Sequence, residues 1–363
     1  MGLYVCFVVS DISATGGIER VISQLTSKLS EHDFEVKIIS LHKTAKELPY
    51  PINNKVVVEF IDDKCKPVSR PGSLSRMFSH IKSAFKANIK VLKNKNATLV
   101  VNTFPIAFIL MPSLFFIKRK YVVEHVHYHY YSNIVSKVRR FIYGIFSKVI
   151  VLTDRDKLAY SKIGLNAVTI PNPLSFVPAK IADSNITKKK IIAVGRLEFQ
   201  KGFDVLINAF NMIPEDVKSN WELHIYGEGS EKKELSKLID TYNLKHFVYL
   251  KGNANNLEDI YISYDFFVMS SRFEGFGMVL LEAMSCGLPC ISFDCPTGPR
   301  EILGSGEFGL LVNNQDEDKL KSEMINLMSN VSLRKKLAVK SIERSRLYLV
   351  DNIIEQWKSL LKY

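Results

Sequence analysis

Short runs of branched and aromatic residues alternate with longer amphipathic runs along almost the whole chain, and this alternation restricts the possible folds more than any other feature. Such an order predicts parallel sheets joined by crossover helices. In the first half the predicted strands are Leu3–Val9, Glu35–Ser40, Val56–Phe60, Thr98–Asn102, Tyr121–His125, Lys148–Leu152 and Ala167–Ile170. In the second half they are Lys190–Val194, Glu222–Tyr226, Val248–Leu250, Phe266–Met269, Cys290–Phe293 and Gly309–Val312. Each half is therefore predicted to be a Rossmann-like α/β domain.

The length of 363 residues favours two domains over one. The segment from Pro173 to Lys190 has the composition of a linker and separates the two sets of strands. We therefore predict one domain over residues 1–173 and a second over 174–345. The pattern from about Leu333 to Tyr363 is helical, and residues 346–363 are predicted to be a separate terminal helix.

The formal net charge of +12 is concentrated in the first half. Residues 1–173 hold 25 Lys and Arg against 12 Asp and Glu, whereas the remaining residues hold 24 against 25. No acidic residue occurs from Lys64 to Val123, and this asymmetry predicts an anionic partner. The segment from Leu74 to Lys93 has apolar residues at helical spacing with basic residues between them, which predicts a basic amphipathic helix. We expect its apolar side to pack on the sheet and its basic side to contact an anionic membrane surface.

The segment Ser270–Asp294 carries the strongest chemical signal. A polar turn leads to Glu274, the triplet Gly275-Phe276-Gly277 follows, and an apolar run that contains Glu282 is predicted to be a helix. A helix that opens on glycines exposes backbone N–H groups at the positive end of its dipole, which suits phosphate. Two carboxylates beside such a helix end suit a ligand that is both a sugar and a phosphate. The alternative is a helix-capping acid and a solvated helix acid.

Seven residues separate Glu274 from Glu282, and this pair resembles the E-x7-E signature of the retaining GT-B glycosyltransferases of family four. Four further elements of the chain resemble that family in the same order. They are Gly16-Gly17-Ile18-Glu19-Arg20 (GG-x-E-R), Ile170-Pro171-Asn172-Pro173 (PNP), Gly195-Arg196-Leu197 with Lys201-Gly202 (GRL-x3-KG), and Cys295–Leu303. The last is similar to bacterial enzymes that build capsule, exopolysaccharide or lipopolysaccharide. Together the elements cover residues about 11 to 305.

The resemblance implies a GT-B fold, with two Rossmann-like domains whose parallel sheets face an interdomain cleft and a C-terminal helix that returns to the N-domain. It implies that the first domain binds the acceptor and the second the nucleotide sugar. Arg196 and Lys201 would neutralise the donor diphosphate, although without the family pattern two surface cations on a loop would be the favoured interpretation. Glu282 would hold the ribose, and Glu274, with Gly275-Phe276-Gly277, would face the donor sugar.

Weaker signals complete the predicted site. Gly16 and Gly17 follow the first strand, where the backbone can approach a ligand closely, and they are predicted to contact the donor. Gly227 begins a Gly-Glu-Gly turn that the resemblance brings near the nucleotide, although a plain tight turn is an equal alternative. Among three alternating histidines, His125 matches the family histidine that contacts the donor sugar or the acceptor, and His127 is second.

We expect no cofactor and no obligatory metal. The alternating histidines share a strand face but lack a further ligand. Asp154-Arg155-Asp156 superficially resembles a metal-binding D-x-D motif, but its position after a strand predicts a helix start with Asp154 as the N-cap and Asp156 in the first turn. Neither glycine-rich turn matches the nicotinamide fingerprint. The five cysteines, at 6, 65, 286, 290 and 295, lack metal-ligand spacing, and the last three are predicted to be small apolar residues. Nothing in their pattern indicates disulfides, which fits a reducing cytosol.

The sequence therefore predicts a retaining transferase that moves a hexose or N-acetylhexosamine from a nucleotide diphosphate sugar, with a UDP-sugar expected, to a glycan or lipid-linked glycan acceptor. No nucleic acid partner is expected. The N-terminus lacks a signal-peptide pattern, and the longest apolar run, Phe104–Ile117, is too short to span a bilayer. The expected location is the cytoplasm, peripheral at the inner face of the plasma membrane. A GDP-mannose-dependent mannosyltransferase, a sugar-nucleotide epimerase and a non-catalytic scaffold stay open as alternatives.

Overall fold

The computed structural model describes residues 3–62, 74–254 and 256–362, and for residues 74–82 it describes the backbone alone. The chain forms two compact units. Unit 1 consists of Met1–Pro173 and Val350–Tyr363, and unit 2 consists of Leu174–Leu349. Residues 64–73, with which the acid-free stretch begins, lie outside the described residues, and Cys65 is among them.

Unit 1 is built on a parallel sheet. Its strands, within the described ranges, are β1 (Leu3–Val9), β2 (Phe34–Ser40), β3 (Val57–Phe60), β4 (Thr98–Asn102), β5 (Lys120–Val123), β6 (Lys148–Val151) and β7 (Ala167–Thr169). They pair in the order β3-β2-β1-β4-β5-β6-β7. The central strands β1 and β4 are buried along most of their length, with apolar runs at their centres, because helices cover the sheet on both faces.

Helices of unit 1 divide between the two faces of this sheet. They are α1 (Gly17–Ser30), α2 (Leu74–Lys93), α3 (Phe104–Leu114), α4 (Asn133–Tyr143) and α5 (Asp154–Lys162). The buried side chains of α1 pack with Val5 and Phe7 of β1. Those of α2, α3 and α4 pack on the opposite face, with Cys6 and Val8. The predicted helix over residues 74–93 is confirmed as α2, but the expectation that its apolar side packs on the sheet is wrong for Phe85 and Ile89, which are exposed. Ala87 and Val91 are buried instead.

Unit 2 repeats this plan with a second parallel sheet. Its strands are β8 (Lys190–Val194), β9 (Glu222–Tyr226), β10 (Val248–Gly252), β11 (Phe266–Met269), β12 (Cys290–Asp294) and β13 (Leu310–Asn313). They pair in the order β10-β9-β8-β11-β12-β13. Its helices are α6 (Phe203–Asn211), α7 (Glu215–Lys218), α8 (Lys232–Thr241), α9 (Leu257–Tyr261), α10 (Met278–Ser285), α11 (Pro299–Ile302), α12 (Glu317–Ser329) and α13 (Val331–Ser345). Short 3₁₀ turns occur at Phe199–Lys201, Gly304–Gly306 and Arg346–Tyr348.

The last helix, α14 (Val350–Lys362), returns to unit 1 and packs beside α1. The rings of Trp357 and Phe7 lie 5.9 Å apart, and Lys28 Nζ lies 2.8 Å from Asp351 Oδ1. The apolar side of α14 is buried in the core that β1 and α1 share. The predicted fold class is confirmed: two Rossmann-like units with parallel sheets and a C-terminal helix that returns to the first.

The described cysteines are all buried thiols. Cys6, Cys286, Cys290 and Cys295 form no disulfide. Burial raises the pKa of Cys6 to about 12, and it likewise raises the pKa of Cys286 and of Cys295 to about 12. These thiols act as small apolar side chains, as predicted for Cys286, Cys290 and Cys295. Separately, no helix in the described ranges is both long enough and apolar enough to cross a bilayer.

Candidate functional site

The predicted donor residues of unit 2 follow two neighbouring strands. Strands β8 and β11 pair directly, although they are far apart in sequence, and the sheet grows outward from them in opposite directions. Ligands of open α/β sheets bind beyond the carboxyl ends of the strands at such a switch point. The loop after β8 carries Arg196 and Lys201, and the loop after β11 carries Glu274. The sheet order therefore brings the two loops together.

Glycines pack the loop after β8 against the loop after β9. Gly195 N donates to Tyr226 O at 3.0 Å, and Leu197 N donates to Glu228 O at 2.9 Å. Gly227 has φ +142°, and a Cβ built there would lie 1.8 Å from the Gly195 carbonyl oxygen. Only glycine fits this conformation and this approach. The Gly-Glu-Gly turn is thus explained by close packing, and a contact between Gly227 and the nucleotide stays a prediction.

Lys201 and Glu274 form an ion pair in the described structure. Lys201 Nζ donates to Glu274 Oε1 at 2.7 Å, and Ser271 Oγ donates to the same oxygen at 2.6 Å. The side chains are largely buried, with exposed fractions of 14% and 7%. Thr297 Oγ1 donates to the Glu274 backbone oxygen at 2.6 Å, which adds a third loop to the cluster. Arg196 lies on the same loop as Lys201, with an exposed side chain.

Arg272 holds the two loops together, and no sequence motif indicates this residue. Its guanidinium donates to both carboxylate oxygens of Asp204, at 2.8 and 2.7 Å, and to Phe199 O at 2.8 Å. It also stacks 4.0 Å from the centre of the Phe199 ring. Burial opposes ionisation of Asp204, but the hydrogen bonds and charge of Arg272 outweigh it and lower the pKa of Asp204. A bidentate pair of this kind holds the loops in one arrangement.

Helix α10 begins at the end of the β11 loop. Its N-cap, Gly277, has φ +100°, so the glycine is required by the backbone conformation. The Phe276 ring is buried and lies 5.8 Å from the Tyr348 ring, so this residue can reach a ligand only through its backbone. Glu282 is buried in the second turn of α10. The structure thus leaves the backbone of Gly275-Phe276-Gly277 as the part that presents N–H groups.

The predicted residues of unit 1 also gather at a switch point, between β1 and β4. Gly16 is the N-cap of α1, and a Cβ built on Gly17 would meet no described atom within 4 Å. His125 follows β5, and its Nε2 lies 3.2 Å from Asn102 Oδ1 at the end of β4. Asn102 Nδ2 donates to Val8 O of β1 at 3.2 Å. The side chains of β4 and β5 are therefore coupled to the end of β1.

This hydrogen-bond chain defines the state of His125. Since Asn102 uses its amide nitrogen for Val8, its oxygen faces His125, and Nε2 of the imidazole must carry the proton. His125 Nδ1 is then a buried acceptor, and it has no hydrogen-bond partner among the described residues. Burial lowers the pKa of His125 to about 4, so the ring is neutral near pH 7.

Thr103, the next residue after β4, has φ +81°. A β-branched residue rarely adopts a positive φ, and such strain persists only where the surrounding structure imposes it. Here Thr103 N donates to Val123 O at 2.9 Å, and the residue is the N-cap of α3. Strain at a switch point marks a candidate functional position. No local sequence pattern would have revealed it.

A buried ion pair holds the loop that carries the histidines. Strand β5 ends at Val123 and not at the predicted His125, because the Glu124 side chain turns inward and accepts a hydrogen bond from His125 N at 3.1 Å. Arg139 Nη1 lies 3.5 Å from Glu124 Oε2, and both residues are only 2% exposed. Tyr143 OH donates to the same oxygen at 2.8 Å. Burial raises the pKa of Glu124, although Arg139 opposes the shift.

Aromatic rings surround the guanidinium of Arg139. It lies 5.1 to 5.3 Å from the ring centres of Tyr128, Tyr131 and Tyr160. Arg139 Nη2 also donates to Tyr128 O at 2.6 Å. This cage of tyrosines therefore ties the histidine-bearing loop to α4 and α5.

The acids of Asp154-Arg155-Asp156 lie at the start of α5, as predicted, but the N-cap is Thr153 and not Asp154. Asp156 N donates to Thr153 Oγ1 at 3.2 Å, and Asp156 Oδ1 accepts from Tyr128 N at 2.9 Å. Both acids thus have structural partners. Within the described ranges, no group of three His, Cys, Asp or Glu side chains is arranged to hold a metal ion.

Comparison with known proteins connects this architecture to one family. Residues 15–175 match the family described as Glycosyltransferase Family 4, and residues 178–344 match the family described as Glycosyl transferases group 1. The chain is 30% identical to the amylovoran biosynthesis glycosyltransferase AmsD of Erwinia amylovora, over 98% of each chain.

Two further proteins are similar over nearly their whole length. The N-acetylgalactosamine-N,N'-diacetylbacillosaminyl-diphospho-undecaprenol 4-alpha-N-acetylgalactosaminyltransferase of Campylobacter jejuni is 27% identical, over 92% of this chain and 93% of its own. The structure of Anabaena HepE in complex with UDP and glucose has a TM-score of 0.78 at 18% identity, over 99% of each chain, which is a likeness of fold. The resemblance noted in the sequence is thus confirmed, and the chain belongs to the group 1, family 4 glycosyltransferases, enzymes with the GT-B fold.

Proposed function

We propose that the protein is a retaining transferase that moves a hexose or an N-acetylhexosamine from a nucleotide diphosphate sugar, with a UDP-sugar as the expected donor, to a cell-surface glycan precursor. The observation that carries this proposal is the Lys201–Glu274 pair, which lies where the two switch-point loops of unit 2 meet. The name of AmsD, which assigns it to amylovoran biosynthesis, supports a polysaccharide product. The complex of HepE with UDP and glucose supports a UDP-sugar donor.

The donor diphosphate is proposed to bind beside Arg196 and Lys201. Arg196 is exposed and can form a forked contact with phosphate oxygens, whereas Lys201 is held in position by Glu274. The N-terminal end of α10, with Gly277 at its cap, adds backbone N–H groups, and Glu282 holds the ribose hydroxyls. As negative charge develops on the departing diphosphate, each such preorganised donor contributes on the order of 3–4 kcal/mol to transition-state stabilisation.

Glu274 is proposed to orient the transferred sugar. The described hydrogen bonds of its carboxylate both end on Oε1, from Lys201 and Ser271. Oε2 can therefore accept a hydrogen bond from a sugar hydroxyl. Because Lys201 neutralises the carboxylate, we assign Glu274 to positioning and not to proton removal.

The proposed reaction balances without a cofactor. The bond between the anomeric carbon and the diphosphate oxygen breaks, and a bond between that carbon and the acceptor oxygen forms. The proton of the acceptor hydroxyl passes to the departing diphosphate, and the anomeric configuration is retained. Arg196 and Lys201 stabilise the leaving group throughout.

The acceptor is proposed to bind unit 1. Its switch point offers the Nδ1 lone pair of neutral His125, which can accept a hydrogen bond from a hydroxyl. The name of the Campylobacter jejuni relative gives a glycan on diphospho-undecaprenol as its acceptor. A lipid-linked acceptor and the basic surplus of residues 1–173 together favour action at an anionic membrane face.

The first experiment is a thermal-shift screen of the purified protein against UDP, GDP and ADP and their common sugars, with and without magnesium. Selective stabilisation by uridine compounds is expected. A guanosine preference would replace the UDP-sugar with GDP-mannose as the donor, and a response to no nucleotide would contradict the proposal.

Lys201→Ala then tests the proposed chemistry in a transfer assay on a lipid-linked acceptor. We expect the turnover number to fall about 10²–10³-fold, as for the loss of one preorganised charge donor. Because the change leaves buried Glu274 without its cation, a stability loss of about 1–3 kcal/mol is also expected, so rates are compared well below the melting temperature. The control is Lys233→Ala, at an exposed position of α8. Equal turnover in the two variants would exclude the role of Lys201.

A further inference from the structure

Three neighbouring helices of unit 1 expose large apolar side chains to solvent. On α2 these are Phe85 and Ile89, on and just after α3 they are Phe108, Phe115 and Phe116, and on α4 they are Ile134, Val138 and Phe141. We call these eight residues the apolar face. The exposed fractions are high, 68% for Phe116 and 78% for Ile134, for example. Contiguous exposed apolar surface on a folded protein marks a binding surface.

Helix α3 is apolar on its outer side as well as its inner side. No charged residue occurs from Thr103 to Ile117. Ile106, Leu110 and Leu114 are buried, whereas Phe108 and the residues that follow the helix, Phe115 and Phe116, point to solvent. A helix that is hydrophobic all round is ordinarily buried. Helix α3 instead lies at the surface, where the apolar side chains on its outer side face water.

Helix α4 shows the same property in a regular stripe. Ile134, Val138 and Phe141 are spaced i, i+4, i+7 and are all exposed. The opposite side of the helix is held by buried Arg139 and Tyr143. The exposed stripe therefore takes no part in the packing of α4 on the unit 1 core.

The three helices form one continuous side of unit 1. Asn88 on α2 bonds two places on α3, with Nδ2 donating to Ile109 O at 3.0 Å and Oδ1 accepting from Ser113 N at 3.0 Å. The Phe104 ring of α3 lies 6.2 Å from the Tyr143 ring of α4. All three helices pack on the same face of the sheet. The apolar face thus belongs to a single surface and not to three separate ones.

The segment that carries the apolar face is strongly basic, although Glu59 of β3 pairs with Lys90 of α2. Residues 64–153 contain sixteen Lys and Arg and a single acidic residue, Glu124, which is buried against Arg139. The exposed cations that flank the apolar residues are Lys86, Lys93, Lys118, Arg119, Lys137 and Arg140. Apolar side chains bordered by cations complement a bilayer with anionic headgroups, where each cation near the surface adds about fivefold to binding.

We propose that the apolar face inserts into the outermost acyl region of an anionic bilayer, with the flanking cations at the headgroups. The inference rests on the proposed function, since it assigns the surface by which the enzyme would reach a lipid-linked acceptor. It differs from attraction through the basic side of α2 alone, because it requires Phe108, Phe116 and Phe141 to leave water.

The test is co-sedimentation with vesicles of phosphatidylglycerol and phosphatidylcholine, compared with vesicles of phosphatidylcholine alone. The variant Phe108→Gln/Phe116→Gln/Phe141→Gln is expected to bind the anionic vesicles at least about tenfold more weakly, even at low salt. Its matched control is Leu158→Gln/Val339→Gln/Leu347→Gln, which removes exposed apolar residues elsewhere. Equal binding by the two variants, or equal binding of the wild type to both kinds of vesicle, would overturn the proposal.

Insertion itself is measured with Phe116→Trp in vesicles that contain brominated lipid. Quenching of the added tryptophan, beyond any change in the unsubstituted protein, is expected because the ring enters the acyl region. Vesicle binding without quenching would show that the apolar face stays at the headgroups, and this result would overturn the proposed insertion. If the apolar variant instead abolished a concentration-dependent dimer in light scattering, a second copy of the chain would be the occupant.

The thermal shift that UDP produces tests the proposed function independently of the membrane-docking proposal. The apolar variant should keep the wild-type response to nucleotide, since the substituted residues lie in unit 1, far in sequence from the Lys201–Glu274 pair. A normal nucleotide response without vesicle binding would refute the docking surface alone. Vesicle binding without any nucleotide response would refute the transferase site alone.

Discussion

Replacing Arg139 with Met should strongly destabilise unit 1. Arg139 and Glu124 are both 2% exposed, so the substitution leaves a carboxylate inside the core without its counter-charge. The Met side chain retains much of the apolar contact with Tyr128, Tyr131 and Tyr160, so the perturbation is mainly electrostatic.

The expected cost is about 3–5 kcal/mol, as for the removal of one partner from a buried ion pair. For a unit of this size, such a loss lowers the melting temperature by roughly 6–20 °C. Replacing the exposed neighbour Arg140 with Met should cost no more than about 0.5 kcal/mol. Arg140 is a matched control, because the two arginines are adjacent in the sequence and differ in the direction of their side chains.

The destabilisation should also depend on pH. Burial already raises the pKa of Glu124, and loss of Arg139 removes the charge that opposes this shift. A raised carboxyl pKa favours the folded state at low pH, and that contribution disappears as pH rises through the folded pKa. The difference in unfolding free energy between Arg139→Met and the wild type should therefore shrink on acidification, because Glu124 becomes protonated. The double variant Arg139→Met/Glu124→Gln should recover part of the loss at neutral pH.

The assay is urea unfolding followed by tryptophan fluorescence. The chain has two tryptophans, Trp221 in unit 2 and Trp357 in unit 1. In a common Trp221→Phe background, the remaining signal reports the α14 contact with Phe7 and hence the unfolding of unit 1. A cost equal to that of Arg140→Met, or a cost that does not change with pH, would refute the reasoning.

Three other predictions concern the two switch points. Gly227→Ala should lower the melting temperature and weaken the UDP response, because its Cβ would lie 1.8 Å from a backbone carbonyl oxygen; Gly17→Ala, with no described atom within 4 Å, should melt like the wild type. Glu274→Gln should reduce turnover about 10²-fold, because it removes both the charge that positions Lys201 and the carboxylate proposed to orient the sugar; unchanged turnover would contradict this. Since burial lowers the pKa of His125 to about 4, stability should fall as pH drops from about 6.5 through 4, and the pH–rate profile should show no His125 ionisation near neutrality. An ionisation near pH 6.5 that disappears in His125→Gln would contradict the neutral state of the ring.

The local elements were predictable because burial in a parallel sheet leaves a strong local pattern. Strands such as β1, β4, β8, β9 and β11 have the bounds that their apolar runs predict. Other bounds, such as those of β2, β3, β10 and β13, differ from the prediction by one or two residues. At two further boundaries a side chain takes part. Glu124 turns into the core and ends β5 early, and the Thr153 hydroxyl makes that residue the N-cap of α5. The predicted roles of the site residues came from motif resemblance and not from local pattern.

The sequence by itself determined the order of strands and helices, the two-domain plan, the basic first half and the motifs that carry the family resemblance. Only the tertiary structure decided which charges meet. Lys201 and Glu274 are 73 residues apart, and they pair because β11 lies beside β8 in the finished sheet. Periodicity reports whether a side chain is buried, but the strand order that selects its partner is set by the packing of the whole core. For the same reason Arg139 and Arg140 look alike in the sequence, although one neutralises a buried carboxylate and the other lies at the surface.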